Sequence, residues 1–380
     1  MRALRHIRAV ARKELHVLIR DRFYITMAIV VPVATLIILG YGMNYNVNHL
    51  PLGIADFDRT MVSRELADAF TASGYFRVAL VTPEPRALDR ALDAGRIRVT
   101  LEIPSGFARA LDRGELAEVQ ILVDGSFPTR AEIARGYVAA IVARFNQDRL
   151  EALAQRTPGI AVAMEPGPAI ESRIWFNPTL ESNNFIVPGA LALSLVFWPP
   201  MLTSLAVARE KEMGAILNIQ TAPILGWEYV VGKLVPYAGM SFLSYWLLLL
   251  ASQVPFHVPV TGSVLLLSVG ALFFIIAMSA LGLLVSILVR TQVAALIVTA
   301  IIVVIPGYQY SGFSEPLGTL DAAGRVISRF LPVADFMHLT RGVYLKGFAF
   351  SDGAGSLARL ILYAGALVLA AVMAFRKRRR

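Results

Sequence analysis

The chain has 380 residues, of which 56% are hydrophobic and 17% charged, a composition too apolar for an ordinary soluble protein of this length. It contains no cysteine, which excludes disulfides, thiolate zinc sites and cysteine-ligated iron–sulfur clusters. The net charge of +9 is concentrated at the two ends, as basic flanks of apolar spans, and this distribution points to membrane lipids and away from nucleic acid.

Residues 1–22 carry seven Lys/Arg against Glu14 and Asp21. Leu4, Ile7, Ala11, Leu15 and Leu18 recur at three- and four-residue spacing, with Arg5, Arg8, Arg12 and His16 opposite. This pattern predicts an amphipathic interfacial helix, the alternative being a basic arm that only sets topology. Residues 23–43 follow as the first membrane span, its apolar core running from Phe23 to Tyr41. A cleavable signal peptide is disfavoured, because Leu39-Gly40-Tyr41-Gly42 offers no small-x-small site and the basic region is long.

Residues 44–182 read as a folded α/β domain. Short β-prone runs at 52–57, 76–81, 99–103 and 119–123 alternate with helical stretches near 61–72, 86–94, 107–113 and 129–156, which favours a sheet at least partly parallel. A proline-rich stretch, 157–178, leads back to the membrane. Residues 183–375 hold spans two to six: about 185–207, two crossings within the uncharged run between Lys233 and Arg290, 292–307, and about 357–375, where Arg359 snorkels toward the interface. A basic tail, 376–380, ends the chain. Placing the N-terminus in the cytoplasm puts sixteen Lys/Arg on that side. Six spans then return the C-terminus to the cytoplasm and leave 44–182 outside a cell inner (plasma) membrane.

Gly226 to Leu234 is reminiscent of a phosphate-binding loop, but it has five residues between its glycines and Leu234 where a Ser or Thr must hold magnesium. No catalytic constellation assembles from the five histidines, so no enzyme activity or resident cofactor is expected on this chain. Asp56, Asp58 and Asp124 lie at strand ends, where turn chemistry explains them as well as a cation does. No acid stands in the middle of a span, which removes the usual mark of ion-coupled transport. Prolines do occur there: Pro188, Pro199, Pro200 and Pro306 are candidate hinges, static kinks being the other reading.

The loop 208–233 is the most informative stretch. It contains Ala-Arg209-Glu210-Lys211-Glu212-Met-Gly214, then Pro223, then Glu228 and Gly232-Lys233 before the next span. This pattern resembles the signature loop of ABC-2-type transporter permeases. The likeness extends to Arg12-Lys13-Glu14, to Asp124-Gly125 in the outer domain and to Pro332 through Lys346-Gly347; a departure is Ala215-Ile216-Leu217 after Gly214, where many such loops carry Gly-Thr and a Glu. The branch it is most similar to comprises drug or multidrug export permeases.

The resemblance implies a polytopic α-helical membrane protein of six transmembrane helices with an inserted α/β extracytoplasmic domain. It implies a transport subunit paired with a second permease copy or homologue over a separate ABC ATPase chain that holds ATP and magnesium. Arg209, Glu210, Lys211, Glu212, Gly214, Pro223, Glu228 and Lys233 would then form the ATPase-coupling loop, and Arg12, Lys13 and Glu14 would belong to the interfacial helix that works with it. The cargo would be a drug-like or lipid-like amphiphile, with a periplasmic adaptor as a further partner. A membrane sensor with an extracytoplasmic ligand-binding domain is the alternative, but it needs an output module that the short cytoplasmic segments do not supply.

Overall fold

A computed structural model describes residues 2–43, 49–126, 128–156, 181–215, 223–314 and 317–375. The chain divides into two compact units, Tyr45–Arg173 and the remainder. The tail 376–380, the whole proline-rich stretch 157–178 and residues 216–222 of the loop lie outside the described residues.

The larger unit is helical. Helix α1, Arg2–Arg20, precedes a first membrane-length helix α2, Arg22–Gly42. Among the described residues five more helices are long and apolar enough to cross a bilayer: α7 Ser182–Glu212, α8 Gly226–Gln253, α9 Val264–Leu288, α10 Gln292–Gln309 and α13 Phe350–Ala374. The chain is therefore a multi-pass membrane protein with the six spans expected. Helix α7 is the most enclosed and forms the centre of the bundle, with α9 against it. Three boundaries differ from the sequence reading. Helix α7 runs on past Val207 to Glu212, α8 starts before Lys233 and takes that lysine into its third turn, and α13 begins ahead of Leu357. Arg359 does not simply snorkel: it pairs with Asp335 at 2.5 Å.

Between α10 and α13 the chain forms α11, Ala322–Phe330, and α12, Pro332–Leu345. Helix α12 enters the main core through Val333, Phe336, Leu339 and Val343, with Phe336 stacked on Phe274 of α9. Its Tyr344 hydroxyl meets Ser252 at the end of α8.

Two spans share a proline device. Each of α2 and α10 contains five π-helical residues, Thr26–Val30 and Ala300–Val304, followed by one residue and then Pro32 or Pro306. Proline lacks the N–H that would bond four residues back, so one carbonyl per site loses its partner. In α2 the Ser244 hydroxyl of α8 donates to the Ala28 carbonyl, four residues before Pro32, as an apolar medium favours at such a break. The pair Pro199-Pro200 is packed against α9. Gly282 leaves no room there for a side chain beside the Pro200 carbonyl, and Thr203 donates to the Ser279 carbonyl at 2.9 Å. Pro188 is buried in the first third of α7.

The smaller unit is a three-stranded parallel sheet in order β2-β1-β3, with β1 Leu50–Asp56, β2 Phe76–Val81 and β3 Val99–Ile103. Side chains alternate across it. Leu52 and Ile54 of β1 join a core with α3, Met61–Ala72, and α6, Pro128–Arg156. Ala55 faces α4, Pro85–Asp93, on the other side, and Gly53 lets Leu88 and Ile97 press onto the strand. The stretch expected as a fourth strand touches β3 only through two antiparallel bridges, Val99 to Val123 and Glu102 to Gln120. The aspartates are engaged in turns and caps. Asp56 accepts from the amides of Asp58 and Arg59, and Asp58 from those of Gly106 and Ala108 at the start of α5, Phe107–Asp112.

Candidate functional site

Helix α1 packs on α8 with a face that hydropathy alone does not select. Its buried residues are Val10, Glu14 and Leu18, spaced by four; of the expected apolar stripe only Leu18 is among them, and Leu4 and Leu15 point outward. The crossing point is Gly232. A Cβ there would lie 2.8 Å from Val10 Cβ and 3.0 Å from the Ile7 carbonyl, so only glycine lets the two helices touch. Gly232 thus serves helix packing in a segment whose glycine spacing mimics a phosphate loop.

That contact carries Glu14 into a closed ring of four charges. Lys13 Nζ lies 3.1 Å from Glu14 Oε1, Glu14 Oε1 lies 3.4 Å from Lys233 Nζ, Lys233 Nζ lies 2.6 Å from Glu210 Oε2, and Lys13 pairs with Glu210 to close the ring. Two tyrosines of α8 complete the acids' hydrogen bonding: Tyr229 donates to Glu210 at 2.7 Å and Tyr237 to Glu14 at 3.0 Å. Lys233 has 0% exposed surface, and Glu14 and Glu210 are buried. Such burial is tolerable only because charge alternates around the ring and sums to zero. For Lys13, burial lowers the pKa, but the hydrogen bond to Glu210 and the charges of Glu14 and Glu210 outweigh it, and the net shift is upward.

Glu210 belongs to the last turn of α7, where four consecutive residues reach four different partners. Arg209 bonds Asp21 Oδ2 at 2.5 Å and lies over the Tyr24 ring of α2. Asp21 also caps the start of that helix through the Phe23 amide, and chiefly the Arg209 bond holds its carboxyl below the usual range. Lys211 donates to the carbonyls of Ser286, Val289 and Ile287 at 2.6, 3.0 and 3.3 Å, where the negative end of α9 is open. Glu212 accepts from the backbone and side-chain amides of Gln292 at 3.1 and 3.0 Å, at the positive end of α10. A helix turn advances each side chain by about 100°, so one turn can address several neighbours.

The other expected residues fall around this hub. Gly214 adopts φ +72° just past the end of α7, a left-handed position that favours glycine. Glu228 accepts from the Leu225 amide at 2.9 Å and meets His6 of α1 at 2.9 Å. Pro223 and Arg12 are exposed, and neither joins the ring. The Glu210 carboxylate therefore turns toward this chain's own helices, while Glu212 is exposed and bonded to Gln292. Sequence reasoning missed Tyr229 and Tyr237. The signal was present: Tyr229, Lys233 and Tyr237 repeat at four-residue intervals on one helical face. Among the described residues, this arrangement makes the region a packed, charge-paired junction between α1 and the bundle.

Comparison with known proteins gives the family. The family described as "ABC-2 family transporter protein" matches residues 22–375. The "Probable multidrug ABC transporter permease YbhS" of Escherichia coli (strain K12) is 31% identical over 344 residues, 90% of this chain and 89% of that protein. From the same strain, the "Probable multidrug ABC transporter permease YbhR" is 26% identical, covering 97% of each chain. The "Inner membrane transport permease YhhJ" is 25% identical, covering 99% of this chain and 98% of its own.

Proposed function

The chain belongs to the ABC-2 family of transporter proteins, and from that premise we propose that it is the permease subunit of an exporter driven by ATP hydrolysis on a separate ATPase chain. The ATPase holds the nucleotide and magnesium; this chain supplies the path through an inner membrane. Both termini and the 209–233 region face the cytoplasm in this reading, and the Tyr45–Arg173 unit lies outside, where a periplasmic adaptor meets it. A second copy or homologue completes the path. The cargo is an amphiphile, drug-like or lipid-like, in keeping with the names of YbhS and YbhR.

The observation that carries the proposal is the last turn of α7, whose residues 209–212 are tied to α1, α2, α8, α9 and α10. A push on α1 or on the loop at Gly214 reaches those five helices through these bonds, and differential contact of the ATPase with two bundle states is what coupling requires. Purification of the chain from its native membrane tests this. An ATPase should accompany it, and Glu212→Lys should uncouple cargo export from ATP turnover while the ATPase stays bound. Recovery with no associated ATPase, or full coupling in Glu212→Lys, would remove the proposal.

A further inference from the structure

Arg341 is a cation taken into the bundle with no carboxylate partner among the described residues. It stands on α12 with its guanidinium 3.9 Å from the centre of the Phe185 ring and 6.0 Å from that of Phe313. Nη1 donates to the Gly312 carbonyl at 2.6 Å and Nη2 to that of Phe313 at 3.3 Å, while Nε is buried and has no hydrogen-bond partner among the described residues. No described carboxylate pairs with it. Asp335, on the same helix, is taken by Arg359. Burial lowers the Arg341 pKa to about 10, so the charge persists at neutral pH. Two carbonyls and two ring faces stabilise a guanidinium, but they do not neutralise it.

Its depth is informative. Gly189 of α7 lies beside it, where a Cβ would come within 3.5 Å of Nη2. From Gly189 to Glu210 the helix rises about 30 Å at 1.5 Å per residue, which matches the hydrocarbon thickness of a bilayer. The four-charge ring marks one boundary of that slab, and Arg341 sits at the other, the level of lipid headgroups. Phe185 is 40% exposed, so the aromatic wall over the guanidinium opens outward.

We propose that Arg341 anchors a binding site for the anionic headgroup of an amphiphile, a phosphate or carboxylate on an apolar tail, at one leaflet boundary between Phe185 and Phe313. The planar fork of arginine suits such oxyanions, and the Nη hydrogens that the Gly312 and Phe313 carbonyls leave free supply the hydrogen bonds. The bound molecule is either a bilayer lipid or a transported amphiphile, and the site stands whether or not it is cargo.

Titration of the full chain in neutral detergent tests the site, with the melting temperature as readout and four probes: short-chain phosphatidylglycerol, short-chain phosphatidylcholine, dodecyl phosphate and inorganic phosphate. Phosphatidylglycerol or dodecyl phosphate should stabilise the protein saturably, phosphatidylcholine should not, and Arg341→Gln should weaken the response by about tenfold or more, as expected for losing a charged hydrogen bond. Saturable phosphatidylglycerol binding identifies a lipid, and dodecyl phosphate binding that phosphatidylglycerol does not displace identifies another amphiphile. Equal stabilisation by phosphatidylcholine, unchanged affinity in Arg341→Gln, or inorganic phosphate binding as tightly as the amphiphiles would each overturn the proposal. Should Arg341→Gln not fold, Arg341→Lys decides in the same titration: weaker binding supports the fork, and unchanged affinity overturns it.

Discussion

Lys233 Nζ lies 2.6 Å from Glu210 Oε2 in a site where the lysine has no exposed surface. Removing one partner of such a buried pair leaves the other charge without compensation, whereas replacing both with apolar groups does not. Lys233→Met and Glu210→Met should each destabilise the purified protein by about 3–5 kcal/mol. The double variant should lose markedly less than the sum. Unfolding in denaturing detergent measures the cycle, and additive losses would show that the pair is not energetically coupled. Glu210→Lys places a third ammonium in the ring, so a lower level of folded protein in the membrane is expected, in addition to any effect on a partner.

Gly232→Val should lift α1 from α8, because its Cβ would overlap Val10 and crowd the Ile7 carbonyl. Overpacking of this kind costs about 1–3 kcal/mol. Amide hydrogen exchange across Arg2–Arg20 should accelerate, while Gly239→Val, which meets nothing within 4 Å, should leave it unchanged. Identical exchange in the two variants would count against close packing at Gly232.

Ser244→Ala should leave the Ala28 carbonyl without a donor at the Pro32 break, at a cost of about 1–3 kcal/mol. Pro32→Ala returns a backbone N–H to that region, so in its presence Ser244→Ala should be nearly silent. A full Ser244→Ala penalty in the Pro32→Ala background would mean that the serine serves some other group.

The unit Tyr45–Arg173 has its own apolar core and should melt cooperatively when produced alone. The Ser126 hydroxyl and amide, and then the Arg98 guanidinium, lower the Asp124 pKa from 3.8 to about 2. A carboxylate depressed on folding contributes stability that is full above its unfolded pKa and is lost as pH falls through the folded value. Melting temperature should therefore drop between about pH 4 and pH 2. Asp124→Asn should flatten the part of that drop due to this group, and parallel curves for variant and parent would exclude Asp124 as its source.

The six spans and the strands of the smaller unit were legible because each reports its burial in its own composition: long uncharged runs in one case, short apolar runs between helical stretches in the other. Glu14 was not legible in this way. A carboxylate counts against burial in any hydropathy pattern, and it occupies the stripe between Val10 and Leu18 only because Lys13, Lys233 and Tyr237 meet it there. The inward turn of Glu210 has the same origin, since its partners lie on α1 and α8 and no local pattern announces them. Helix α12 reads as an ordinary mixed segment until α9 and α13 are placed beside it. The π-helical turns depend on a bond five residues back, and their sole trace in the sequence is a proline two residues further on.

The last turn of α7 also constrains the order of biogenesis. When that turn leaves the ribosome, Asp21 and Lys13 already exist to receive Arg209 and Glu210, but the partners of Lys211 and Glu212 have yet to be translated. Lys233 arrives next, then the carbonyls of residues 286–289, and Gln292 comes last. A nascent chain thus carries unmatched charge at the membrane surface until the fifth span begins to emerge. Chains arrested just before Ser286 should remain protease-sensitive at Arg209–Met213, and those extended past Gln292 should become resistant. Equal sensitivity at both lengths would show that these late contacts do not complete the bundle's assembly.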